Sequence, residues 1–157
     1  MFSNTAEAIP VNLISVGDLV VSEVMHTPSG VPDYRGEWIE IYNNAGTEVN
    51  FNGLVVSDGT QSTTISSDVN VAAGDYFVMT TRQPSQNGGV AMDYIYLNAE
   101  LRLSNSEQVS LIVGSTTIDT FDWDNGGNYP VASGSSLSLD PSALSSTAND
   151  NASNWCL

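Results

Sequence analysis

The chain has 157 residues, 41% of them hydrophobic, and sets 18 acidic residues against three Arg and no Lys, a net charge of -15 at pH 7. Such a surface repels DNA, RNA and anionic membranes and favours cations and cationic partners, which argues against a nucleic-acid or membrane-surface role. No apolar run approaches the roughly 20 residues of a spanning helix, and the length suits one domain with a real core.

Residues 1–16 are mixed in character and read as a leader or edge segment. Ala6-Glu7-Ala8 has the small-x-small form of a cleavage site, and an ordinary flexible leader fits equally well. From residue 17 onward, short apolar or alternating runs are separated by Gly/Asn/Asp/Ser clusters. This pattern predicts strands at residues 19–25, 37–42, 54–57, 63–66, 76–81, 94–97, 108–113, 116–123 and 136–139. Turn signals between them include Asn44-Ala45-Gly46, Ala73-Gly74-Asp75 and Gly114-Ser115. About nine strands and no long amphipathic helix predict an all-β, immunoglobulin-like sandwich over residues 17–140. Cys156 is the sole cysteine, so that sandwich lacks an inter-sheet disulfide. Residues 141–157 are small and polar and predict an irregular C-terminal segment, packed on the sandwich through Trp155.

The stretch Gly36-Glu37-Trp38-Ile39-Glu40-Ile41-Tyr42 holds two carboxylates three residues apart. On a strand, side chains alternate between faces, so Glu37 joins Ile39 and Ile41 while Glu40 joins Trp38 and Tyr42. Two carboxylates that cleave a glycosidic bond must flank that bond, roughly 5–10 Å apart. Opposite faces forbid this within the motif. Trp38, Glu40 and Tyr42 then form either a binding strip or a packed patch whose Glu accepts backbone N–H bonds from a covering loop.

Asp122, Asp124 and Asn125 lie in the densest acidic stretch and offer the hard oxygen donors that suit Ca²⁺. The stretch lacks EF-hand spacing, so any such site would borrow ligands, for example Asp58 or Asp33; the competing reading is a polar hairpin turn. His26 is the only histidine, no G-x-S-x-G occurs, and one His with one terminal Cys cannot build a usual zinc site. No catalytic residue is assigned, and no other cofactor is expected.

Several segments resemble a known family. "DLVVSEVMHTPSG" followed by "GEWIEIYNNAGTEVNFNGLVVSDG" is similar to the start of a lamin-tail domain. The likeness continues through "VNVAAGDYFVMTTR", "LRLSNSEQVSLIV" and "TIDTFDWDNGGNYPVASGSSLSLDP" and closes on "DNASNW". Tyr129-Pro130 stands where bacterial members often have Trp-Pro. The resemblance implies a non-catalytic, immunoglobulin-like interaction or structural module accompanying a larger, exported bacterial protein. It implies a secreted, periplasmic or cell-surface setting and an unidentified protein or cell-surface partner, without nucleic acid or membrane insertion. The alternative is a Ca²⁺-assisted carbohydrate- or surface-binding module.

Overall fold

The computed structural model describes residues 7–105, 107–123 and 128–157. Among them the strands in chain order are β1 (Ile9–Pro10), β2 (Leu19–Met25), β3 (Trp38–Asn43), β4 (Val49–Asn50), β5 (Val55–Ser57), β6 (Ser62–Thr64) and β7 (Asn70–Val71). There follow β8 (Tyr76–Thr80), β9 (Tyr94–Ile95), β10 (Gln108–Val113), β11 (Thr116–Asp122), β12 (Leu137–Leu139) and β13 (Trp155–Cys156). One helical turn, α1 (Asp33–Gly36), precedes β3. Every predicted strand is present, with its ends within two residues of those expected. The additions β1, β4, β7 and β13 are two-residue pairings, too short to show alternation in a sequence.

The strands form a six-stranded sheet ordered β13-β12-β2-β3-β8-β9, a four-stranded sheet ordered β11-β10-β5-β6 and a small sheet ordered β1-β4-β7. One apolar core joins the two larger sheets. Leu19, Ile39, Ile41, Phe77 and Met79 enter it from the first sheet, and Val56, Val109, Leu111 and Phe121 from the second. Phe51 packs against Phe77 inside it, with ring centroids 5.0 Å apart and the rings tilted by 57°. The molecule is therefore an all-β sandwich of the immunoglobulin-like kind, held by apolar burial and without a disulfide. Among the described residues, no helix is long and apolar enough to cross a membrane.

Two glycines matter to this architecture. A Cβ at Gly36 would lie 2.6 Å from side-chain carbons of Pro28 and Val31, so the entry to β3 admits no side chain there. Gly114 turns the β10–β11 hairpin with φ +59, a left-handed conformation that glycine adopts without a Cβ clash.

The segment before β2 is tied into the fold by Ile9 and Pro10 pairing with β4 and by the burial of Val11. At the other end, Asp119 of β11 reaches across to β2. Its Oδ2 accepts the Val21 N–H at 2.7 Å and the Asn149 side-chain N–H at 2.8 Å. The β2–β3 register slips between Val21 and Glu23, leaving Ser22 as the extra residue of a bulge. Asp119 thus satisfies a buried backbone donor beside the irregularity. Asn149 is fully buried, and its carbonyl accepts the Trp155 indole N–H at 2.7 Å. Trp155 stacks on Phe121 with centroids 3.8 Å apart and 12° between planes.

Candidate functional site

Strand parity sorts the residues of β3 as its sequence requires. Ile39 and Ile41 are fully buried, whereas Trp38, Glu40 and Tyr42 are each part-exposed on the outer face of the six-stranded sheet. Glu37 lies one residue before β3 on the core side and is fully buried. The two glutamates of the motif therefore cannot flank one bond.

Glu37 has the role that sequence reasoning offered for Glu40. Its Oε2 accepts the backbone N–H of Leu103 at 3.2 Å and the side-chain N–H of Asn98 at 3.0 Å, both from a loop laid over the sheet. Burial raises its pKa from 4.5 to about 7, against the opposing pull of these donors and of Arg102. Glu40 has no such loop partner. Its Oε1 accepts the Ser22 hydroxyl at 2.9 Å, so its partner is the neighbouring strand's bulge residue. Burial, and then the charge of Glu23, push its carboxyl upward.

The neighbours of Glu40 define the site. Glu23 of β2 stands directly across from it, so two carboxylates sit side by side on one face. Like charges in such a pair repel. Glu23 is held by the Ser136 hydroxyl, and no arginine contributes to the electrostatics of Glu40. On the other side, β8 places Val78 opposite Glu40 and Tyr76 opposite Tyr42. The rings of Tyr42 and Tyr76 lie 5.1 Å apart, and Tyr76 is 43% exposed. Trp38 flanks the other side of Glu40 along β3 and is the one tryptophan of three that is not buried. The face thus combines an uncompensated carboxylate pair with three aromatic rings. An ammonium or guanidinium group suits that combination through charge pairing and cation–π attraction.

Glu23 and Tyr76 were missed in the sequence because they belong to other strands. Only the register, not the spacing along the chain, brings them to Glu40.

The proposed Ca²⁺ ligands are located only in part. Asp122 ends β11 and is part-exposed, while Asp124 and Asn125 lie outside the described residues. Among the described residues, no group of three His, Cys, Asp or Glu side chains is arranged to hold a metal. Asp33 and Asp58 both line a polar cleft of about 360 Å³ with His26, Arg102 and Glu107. Asp58 Oδ1 is already engaged there by Thr60 and by the backbone N–H of Gln61. His26 is buried against Trp123, ring centroids 5.9 Å apart, and burial lowers its pKa, which disfavours its cation. Cys156 is exposed and free.

No curated protein matches the chain. The family model described as Lamin Tail Domain matches residues 14–128, the stretch from just before β2 to just beyond β11. That match covers well over half of the sequence and agrees with the disulfide-free sandwich, and the chain belongs to the lamin tail domain family.

Proposed function

We propose that the domain is a non-catalytic interaction module of an exported bacterial protein, and that it engages a cationic protein partner through the outer face of the six-stranded sheet. The observation that carries this reading is the Glu23–Glu40 pair, set among Trp38, Tyr42 and Tyr76 with no arginine acting on Glu40. A partner's Arg or Lys placed over Glu40 would relieve the repulsion and lie against aromatic faces. The net charge of -15 adds long-range attraction for such a partner. Family membership supports the non-catalytic role, and a charged fraction of only 13% in a sequence rich in Ser, Thr, Asn and Gly supports an exported setting.

Hexa-arginine is a suitable first probe. Binding should change the fluorescence of part-exposed Trp38 and weaken as ionic strength rises. Glu40→Gln combined with Tyr76→Ala should lower affinity about 10-fold, the scale of one ion contact with one cation–π contact. Unchanged affinity in that double variant would remove this face as the site.

A second reading is Ca²⁺-assisted binding to a carbohydrate or surface. Its support is local electrostatics: burial first, and then the charge of Asp122, push the Asp150 carboxyl upward, an arrangement a cation would relieve. Adding millimolar Ca²⁺ to chelator-stripped protein should then raise the melting temperature, because a ligand bound only by the native state stabilises it. An unshifted transition rules this reading out.

A further inference from the structure

We infer that the free edge of β6 is an acceptor site for an extended, basic polypeptide strand, independently of the outer-face reading. The backbone carries the argument. β6 ends the four-stranded sheet, with β5 on one side and, among the described residues, no strand on the other. Thr63 pairs with Val56, Ile65 N–H donates to Leu54 and the Gln61 carbonyl accepts from Asp58, so the odd-numbered residues point their backbone groups inward. By alternation, the groups of Ser62, Thr64 and Ser66 point outward.

Only part of this outward row is satisfied. The Tyr94 hydroxyl donates to the Thr64 carbonyl at 3.4 Å and accepts from the Ser66 N–H at 3.3 Å. One side-chain oxygen thus stands in, at long range, for a missing strand. Among the described residues, the Ser62 N–H and carbonyl and the Thr64 N–H have no hydrogen-bond partner. They open onto a groove of about 450 Å³ between β6 and the Tyr94–Leu97 wall. Native edges are usually blunted by Lys, Pro or a covering element. β6 carries neither Lys nor Pro, and the neighbouring 94–100 segment meets it only through side chains, at Tyr94, at Glu100 and at Gln61, whose amide donates to the Ala99 carbonyl at 3.3 Å. Along the far wall, Ile95 is 37% and Leu97 56% exposed, on either side of buried Tyr96. Glu100 closes the groove, its Oε2 taking the Thr63 hydroxyl at 2.9 Å.

These features specify the occupant. Unpaired N–H and C=O groups at strand spacing call for polypeptide backbone. Ile95 and Leu97 call for apolar side chains at alternate positions. Glu100 and the overall charge call for basic residues at the others. A second copy fits poorly, because each copy carries -15.

The test is amide exchange by NMR with an end-capped peptide of alternating Val and Lys. The protein background is Glu40→Gln/Tyr76→Ala, so that outer-face binding does not contribute. Exchange at Thr64 and Ser62 should slow by about tenfold or more at saturation. Thr64→Pro removes only an outward N–H, which an edge strand tolerates, and should abolish that binding. Tyr94→Phe keeps the ring but frees the Thr64 carbonyl, and should tighten binding several-fold. The proposal is overturned if the peptide does not bind or if Thr64 and Ser62 exchange is unmoved. It is equally overturned by unchanged affinity in Tyr94→Phe, or by protection of the same amides in a peptide-free dimer. None of these outcomes bears on hexa-arginine binding to the outer face of the unmodified protein.

Discussion

Replacing Trp155 with alanine should destabilise the domain by about 3–5 kcal/mol, the range seen when a large buried aromatic is truncated. Trp155 is only 5% exposed, stacks on Phe121 and meets Tyr129 edge-on. The deletion removes the stack and also strands the Asn149 carbonyl, whose side chain in turn holds Asp119. A loss of that size is a large share of the roughly 5–15 kcal/mol that stabilises an ordinary domain. Trp155→Phe keeps a ring against Phe121 but loses the N–H donor, and should cost about 1–3 kcal/mol, the penalty of an unsatisfied buried acceptor. Urea unfolding measures both. A Trp155→Ala midpoint close to wild type would mean that the C-terminal segment is not integral to the core.

The outer face was legible in the sequence because it depends only on strand parity. Ile39 and Ile41 turn inward and Trp38, Glu40 and Tyr42 outward, and no distant contact reverses that. Parity also placed Glu37 with the core, where it is found. Its partners were not legible, since Asn98 and Leu103 lie 61 and 66 residues away in a loop without periodicity. The role of Asp119 was not legible for a related reason. A carboxylate within a strand reads as a solvent-facing residue, and its burial follows from Val21 at a bulge and Asn149 in a polar segment. Bulges and two-residue pairings are set by how strands converge in space. The local pattern of apolar residues contains no record of them.

The second large effect concerns pH. Glu37 has a folded-state pKa of about 7 against an ordinary 4.5, chiefly because burial disfavours its charge. Between these values the folded protein holds a proton that the unfolded chain has released. Stability from this group is therefore complete below about pH 4.5 and declines as pH rises toward and through 7. At about 1.4 kcal/mol per pH unit, the loss reaches up to about 3 kcal/mol by pH 8. Glu37→Gln cannot ionise, yet its amide oxygen can still accept from Leu103 and Asn98. The variant should match wild type near pH 4.5 and exceed its stability by a margin that grows to about 2–3 kcal/mol at pH 8. Asp119, raised from 3.8 to about 6 by burial, contributes a slope of the same sign at lower pH, so below pH 6 the variant should keep the Asp119 share of the slope while losing the Glu37 share, and between pH 6 and 7 it should be flat where wild type still declines. Urea denaturation at half-unit pH steps from 4.5 to 8 distinguishes the two groups. If the gap between Glu37→Gln and wild type stays constant across that range, Glu37 does not titrate there, and a buried, loop-pinning carboxyl at the entrance to β3 is the wrong account of the motif's first glutamate.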